Sequence, residues 1–331
     1  MEKISVLLPT YNVESYIAEA LSSILNQTYE NLEIIVVDDF STDNTYSILE
    51  EFSKKDERIK LYRNKSNMKI CYTLNRAFEF SSGEYIARMD GDDVSEYDRF
   101  EKQINFLRKN TEIDLVGLSI VSINQQGIEL SKVRYIESIR LLRKASLFSS
   151  PVSHIWMARR RVYQKLGGYR EIPSVEDYDF LLRMLSFGYQ FTNLSDYYGY
   201  KVRIRDGNTA STVGIKQRKA FEYVRALYFE RKKKNGDDSF TEKSFFDYVK
   251  FSEPERRRYE DSLRLLQAGI SLRSNNNYLW FIYTVLAAFK SKHQFKYLVR
   301  SFITRVLVKF DKVYSQKRVK KGKEFSLYEE D

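Results

Sequence analysis

Through the first ninety residues, near-continuous apolar runs alternate with stretches whose apolar residues recur at helical spacing. No other feature restricts the fold as strongly. Ile4–Leu8, Ile34–Val37, Ile59–Tyr62 and Tyr85–Met89 read as strands. Between them, Ile17, Ala20, Leu21, Ile24 and Leu25 mark one helical face, and Ser41–Thr45 reads as a loop and cap before a helix over Tyr46–Phe52. A third helix is expected around Thr73–Phe80. Apolar strands alternating with amphipathic helices predict an α/β fold with a parallel, doubly wound sheet. Ligands of such sheets bind beyond the carboxyl ends of the strands. Pro9-Thr10-Tyr11, Asp38-Asp39 and Asp90-Gly91-Asp92-Asp93 each follow an expected strand, so all three should meet on one rim.

The last of these segments, in "EYIARMDGDD" at 84–93, sets three like charges at a strand end with no base among them. Hard divalent cations take oxygen ligands, and Mg²⁺ is commonly held by one or two carboxylates with substrate phosphates. Gly91 allows the backbone a close approach. The competing reading is an acidic turn capping a helix that starts near Ser95.

Further along, 96–110 reads as a helix, Leu115–Ile123 as a strand and Asn124–Gly127 as a turn. Helical patterns follow at Ile136–Phe148, Arg160–Leu166 and Asp177–Phe187, with short strands near Tyr189–Phe191 and Tyr197–Val202. Beyond about Gly214 the pattern is helical to the end. A length of 331 residues exceeds what one core usually serves, so a boundary near residue 213 is expected. The lone Cys71 excludes an internal disulfide framework, suits a reducing compartment and reads as a small buried hydrophobe. The apolar run at the N-terminus is too short for a secretion signal, and no window reaches the roughly 18 apolar residues of a membrane span. A cytoplasmic chain is expected.

The stretch "SVLLPTYNVESYIAEALSSILNQTYENLEIIVVDDFSTDNT", then "GEYIARMDGDD", then "SPVSHIWMARRRVYQKLGGYREIPSVEDYDFLLRM" at 150–184 resembles the inverting family 2 glycosyltransferases over roughly residues 3–212. The resemblance implies the GT-A nucleotide-sugar-binding fold, Rossmann-like with a mostly parallel central sheet. It would occupy 1–213, with the donor bound in 1–95 and the acceptor side in 96–213. Residues 214–331 would form a helical C-terminal region. The implied reaction moves a hexose or N-acetylhexosamine from a UDP-sugar to a hydroxyl of a glycan or an undecaprenyl-diphosphate-linked oligosaccharide, in surface polysaccharide synthesis.

The same resemblance assigns roles residue by residue. Pro9, Thr10 and Tyr11 match the segment lining the base, with Tyr11 placed to stack on uracil. Asp39 matches the acid that hydrogen-bonds uracil or ribose, while helix capping suits Asp43 better. Asn67 and Arg76 fall where the donor's base or phosphates are contacted. Asp90 would face the sugar or ribose, and Asp92, with Asp93, would hold Mn²⁺ or Mg²⁺ on the diphosphate. Asp177, or else Glu176, is the candidate base that takes the acceptor's proton; the competing reading is N-capping by Ser174 and Asp177. Two departures stand out. "YKVRIRDGNTAST" shows Arg203 and Arg205 where much of the family has a histidine. Arginine cannot ligate a cation but clamps phosphate oxygens, so Arg205 joins the donor-binding set. Lys69 stands near a common glycine position. His154 reads as a structural histidine or a neighbour of the acceptor, and His293 as incidental.

The net charge of +10 is concentrated at the C-terminus, where 290–323 carries twelve Lys/Arg against the single acid Asp311. "YLWFIYTVLAAF" at 278–289, followed by basic residues mixed with Phe295, Phe302, Val306 and Phe310, reads as an amphipathic helix on an anionic membrane surface, peripheral on the inner face. A helix packed on the catalytic part, or in a homodimer, reads equally well. No base-reading motif accompanies the charge, so nucleic acid is not an expected partner. The alternative to a transferase is a non-catalytic relative that binds nucleotide-sugar or glycan.

Overall fold

Each apolar run of the N-terminal part becomes a strand. In the computed structural model, which describes residues 1–205 and 214–320 with side chains through 313, β1 (Ile4–Thr10), β2 (Leu32–Asp38), β3 (Ile59–Arg63) and β4 (Tyr85–Arg88) are parallel in the order β3-β2-β1-β4. Every residue of β1 and β4 is buried, as strands covered on both faces require. Helices α1 (Ile17–Leu25) and α2 (Thr45–Lys55) pack on one face, where Ile17, Ala20, Leu21 and Leu49 join Val6 and Ile34. On the other face α3 (Lys69–Glu79) sets Leu74 and Ala77 against Leu7 and Ile35. The doubly wound expectation is met over these four strands.

Beyond β4 the sheet is mixed. Short β5 (Val94–Ser95) pairs antiparallel with β9 (Phe191–Arg203), β6 (Leu115–Ile123) lies parallel to β9, and β8 (Met157–Arg159) runs antiparallel between β4 and β6. Three expectations change here. Ser95 belongs to β5, and α4 begins only at Arg99 (Arg99–Lys109), so the acids at 90–93 form a turn into a strand and cap no helix. The two short strands expected near 189–202 are one strand. A hairpin strand, β7 (Glu129–Val133), follows the expected turn; all five residues are exposed, so no apolar pattern announces it.

Helices α5 (Ile139–Ala145), α6 (Arg160–Leu166) and α7 (Glu176–Ser186) complete this part. The turn after α6 is held by Asn75 of α3, whose amide donates to the Tyr169 carbonyl and accepts from the Tyr169 N–H, both at 2.8 Å. Gly168 there has φ +73°, and a Cβ at that position would lie 2.4 Å from Asn75 Oδ1. Gly168→Ala should therefore lower stability by about 2–3 kcal/mol in chemical denaturation, from left-handed strain plus the clash. A loss under about 0.5 kcal/mol would mean that the turn relaxes freely.

The helical region comprises α8 (Ile215–Lys233), α9 (Glu242–Val249), α10 (Glu253–Ser274), α11 (Trp280–Lys290) and α12 (Lys292–Lys320). The boundary expected near residue 213 and the final basic residues of the tail lie outside the described residues. Helix α8 docks on α7, with Tyr178 stacked on Phe221 at 4.1 Å between ring centroids. Helix α12 returns to the N-terminal part: Leu307 and Val308 pack on its core, and buried Asp311 accepts from Arg134 Nη1 at 2.9 Å and Ser138 N at 3.0 Å. Asp311, the one acid within 290–323, thus docks at the start of α5. His293, expected to be incidental, is buried, with Nε2 2.8 Å from Glu255 and Nδ1 3.4 Å from Glu222, and so ties α12 to α10 and α8. The outer side of α12 leaves Phe295, Val299, Phe302, Phe310 and Val313 exposed. Among the described residues no helix is long and apolar enough to cross a membrane.

Candidate active site

The parallel register places the three expected segments on one rim. Thr10 pairs with Asp38, and Asp38 with Arg63, so the chain leaves β1, β2 and β3 at the same level. Asp38 is buried, accepts from the Ser41 N–H at 3.0 Å and pairs with Arg63 Nε at 3.2 Å. It shapes the turn that presents Asp39. Asp39 in turn accepts from Met68 N at 2.7 Å, Lys69 N at 2.9 Å and Asn64 Nδ2 at 2.7 Å. The 64–69 loop is therefore wrapped around this carboxylate. Arg76 reaches the same cluster by donating to Asn64 Oδ1 at 2.6 Å. Asp43 accepts from the Thr45 N–H at 3.0 Å in the turn before α2, but Asn44 is the N-cap and the helix has no side-chain cap, so the capping role expected of Asp43 is not taken. Tyr11 stands 43% exposed beside this group, a free aromatic face on the rim. Thr10 Oγ1 and Asn67 Oδ1 are buried without a hydrogen-bond partner among the described residues. Buried polar atoms are rarely left so, and these two call for a partner from outside the chain.

The acidic turn after β4 is packed tightly against β1. A Cβ on Gly91 would come within 3.0 Å of Thr10 Cγ2 and 3.3 Å of Val13 Cγ2, so glycine gives the acidic turn its close fit against β1 and any side chain there would push these methyls back. Arg203 fixes the turn from β9: its N–H donates to Asp93 Oδ1 at 2.8 Å and its Nε to the Asp92 carbonyl at 2.9 Å. Tyr200 accepts from the Asp90 N–H. Asp90, Asp93 and His154 then offer one ligand atom each, all within 4.8 Å of one another. His154 Nε2 lies 3.1 Å from Asp90 Oδ2. Asp92, expected with Asp93 at the cation, instead pairs with Arg205 Nε at 2.7 Å. Burial, then the like charges of Asp92 and Asp90, push the Asp93 carboxyl well above its ordinary value. Burial also raises Asp90, but Arg88 and His154 pull it below the usual carboxylate range. Two carboxylates and an imidazole in this strained electrostatic setting suit a divalent cation such as Mn²⁺.

Arg88, which sequence reasoning passed over, joins the acidic turn to α7. It is buried at the end of β4, with Nε 3.1 Å from Asp90 and Nη1 3.1 Å from Glu176. Glu176 is thereby committed to an ion pair. Asp177 makes no ion pair among the described residues, and burial, then the adjacent Glu176 charge, raise its carboxyl to about 6 against the pull of His154 and Arg88. Helix α7 carries no side-chain cap; Val175 is its N-cap, so the capping roles weighed for Ser174 and Asp177 are not taken. An uncapped helix start holding a half-buried carboxyl near 6 has the properties of a positioned general base. Cys71 is buried and its thiol raised further by that burial, the inert packing residue it was expected to be.

The mixed α/β sheet, with these side chains gathered at the carboxyl ends of its parallel strands, agrees with the GT-A type of fold that the sequence resemblance implies. The family described as Glycosyl transferase family 2 matches residues 5–167. A Bacillus subtilis (strain 168) protein that bears the name "Putative glycosyltransferase EpsE" is 35% identical over 206 residues, spanning 61% of this chain and 73% of that one. Similar folds are seen in Staphylococcus aureus TarS 1–349, solved with UDP-GlcNAc (TM-score 0.58, 23% identity, 75% of this chain and 70% of that one). They recur in the Pyrobaculum calidifontis mannosyltransferase PcManGT, solved with GDP-Man and Mn²⁺ (TM-score 0.56, 17% identity, 91% of this chain and 87% of that one). The chain belongs to glycosyl transferase family 2 and is a glycosyltransferase.

Proposed function

We propose that this enzyme transfers a hexose or N-acetylhexosamine, with inversion, from a UDP-sugar to a hydroxyl of a surface-polysaccharide precursor. The observation that carries the reading is the closeness of the Asp177 carboxyl to the Asp90–Asp93–His154 cluster: it feels the charges of His154 and Arg88, and Arg88 pairs with Asp90 and with Glu176, the residue before it. TarS, which shares the fold, was solved with UDP-GlcNAc and with UDP, which favours a UDP donor here. Tyr11 would stack on the base and the Asp39–Asn64–Arg76 group would hold the uridine and its phosphates. Asp90, Asp93 and His154 would hold Mn²⁺ or Mg²⁺, which when bound supplies Lewis-acid stabilisation of charge on the departing diphosphate. Asp177 accepts the acceptor hydroxyl's proton as that oxygen bonds to the anomeric carbon. The bond from that carbon to the diphosphate oxygen breaks on the opposite face, and a single displacement inverts the centre.

Arg205 serves the donor phosphates in this reading, with Asp92 holding it in place. Arg205→Met should weaken UDP binding about ten- to a hundredfold, the worth of a charge-assisted hydrogen bond. Calorimetry showing unchanged UDP affinity would confine Arg205 to neutralising Asp92. A lipid-diphosphate-linked acceptor at the membrane is consistent with the exposed apolar outer face of α12 and its basic flanks. The reading as a whole is tested by incubating the enzyme with a panel of UDP-α-sugars and following slow sugar release to water by ¹H NMR. Accumulation of the β-anomer with UDP supports it; release of the α-anomer would refute inversion.

A further inference from the structure

A cavity of about 390 Å³ lies between α8, α9 and α12, lined by none of the rim residues. Its walls include Arg225, Arg300, Phe229, Tyr248 and Phe295. Arg300 is only 6% exposed, yet its Nη1 has no hydrogen-bond partner among the described residues, and the same holds for Arg225 Nε. Arg218 brings a third guanidinium, over the Tyr297 ring at 3.4 Å, with its Nε also unpartnered. None of the three makes an ion pair among the described residues. The carboxylate that lines this cavity, Glu222, is already taken by Lys296 Nζ at 2.6 Å and by His293.

Burying guanidinium groups without counter-charges is costly, and a cluster of them persists where something supplies the missing anion. Burial, together with repulsion from Arg225 and Arg218, depresses the Arg300 guanidinium even with Glu222 nearby. A planar fork with unsatisfied N–H groups matches the oxygens of a phosphate. The remaining walls are aromatic, and Phe295 and Val299 both line the cavity and begin the exposed apolar stripe of α12. That continuity suits a phosphate attached to an apolar moiety.

We propose that this cavity is a second anion site, apart from the catalytic rim, in which Arg225 and Arg300 bind a phosphate group. The phosphate belongs to an anionic lipid headgroup or is free in solution, and the experiment separates the two. Equilibrium dialysis of the full chain with labelled inorganic phosphate should show one saturable site that Arg225→Gln weakens about ten- to a hundredfold. Arg300→Lys should give a smaller loss, since it keeps the charge and forfeits the fork. Arg205→Met, on the rim, should leave this binding intact, which separates the site from that of the donor diphosphate. Arg225 is half-buried, so Arg225→Gln decides the matter if Arg300 variants fold poorly. In the second arm, co-sedimentation with phosphatidylglycerol vesicles but not phosphatidylcholine vesicles, lost in Arg225→Gln, assigns a lipid source. Phosphate binding without vesicle binding assigns a soluble one. Absence of saturable binding in both arms, or binding that Arg225→Gln leaves unchanged, overturns the site.

Discussion

Replacing Asp177 by asparagine is expected to lower kcat by about 10²- to 10⁴-fold, the usual contribution of a positioned base, while UDP still binds. The wild-type rate should rise with pH through about 6, where the raised Asp177 carboxyl ionises, and this limb should vanish in Asp177→Asn. Stability should move the other way. The folded carboxyl titrates near 6 against an ordinary 3.8, so the folded state is favoured while the group is protonated and loses that advantage as pH rises through 6. At pH 8 the native enzyme therefore carries an unfavourable charge that asparagine lacks. Asp177→Asn should be more stable than wild type there by about 1–3 kcal/mol, allowing for partial solvent access, and no more stable at pH 3.5. A group retained at a cost to the fold but needed for turnover is what a catalytic base should look like. If Asp177→Asn kept the wild-type rate, the base would have to be sought elsewhere. Glu176→Gln separates the two adjacent acids that open α7. It breaks the pair with Arg88, so it should disturb both Asp90 and folding instead of removing the pH limb alone.

The second large effect concerns the acidic turn. Asp93→Asn should reduce kcat at least about a thousandfold, since several kcal/mol of transition-state stabilisation would be lost with the cation. It should also abolish any enhancement of UDP binding by Mn²⁺. The fold should tolerate the change, because burial and the charges of Asp92 and Asp90 already disfavour ionised Asp93, so a neutral amide relieves repulsion. Chelation of the wild type should reproduce the loss of rate, and added Mn²⁺ should restore it only where Asp93 is intact. Asp92→Asn provides the contrast. Its partner is Arg205, so its removal should weaken donor binding more than it weakens the response to Mn²⁺. Equal loss of the Mn²⁺ response in Asp92→Asn and Asp93→Asn would return Asp92 to the cation, where the motif alone had placed it.

Much of this was legible in the chain because the relevant signals are local. Strands covered on both faces leave unbroken apolar runs, so β1, β2, β4 and β6 could be read to within a few residues, and with them the rim. Tyr11 and Asp39 could be placed on the rim because they follow those strands, whereas the roles proposed for them and for Asp177 came from the resemblance to the family 2 glycosyltransferases. What remained hidden depends on contacts between distant segments. His154 lies 64 residues from Asp90, and nothing in "SPVSHIW" shows that β8 would run antiparallel beside β4 and bring the imidazole to the acids. Arg88 reads as one more strand residue until α7 supplies Glu176 from 88 residues away. Asn64 was overlooked beside Asn67, although the turn after β3 makes it the residue that ties Arg76 to Asp39. The exposed strand β7 has no apolar residue facing a core, so periodicity is silent there. At the C-terminus the sequence leaves a membrane-surface helix and a helix packed on the rest of the chain equally open, and Asp311 with the Leu307–Val308 pair shows the packing. Its exposed aromatic side is visible only once that docking fixes which face points outward.

The account rests on a division of labour: one rim binds the nucleotide with a cation through Asp90, Asp93 and His154, and Asp177 acts without taking part in that binding. Titration calorimetry of UDP into wild-type, Asp93→Asn and Asp177→Asn enzyme, each with and without Mn²⁺, tests that division most directly. Tighter UDP binding with Mn²⁺ in the wild type and in Asp177→Asn, and no Mn²⁺ effect in Asp93→Asn, is the expected result. Binding of UDP that ignores Mn²⁺ in all three proteins, or an Mn²⁺ effect that survives in Asp93→Asn, would contradict it.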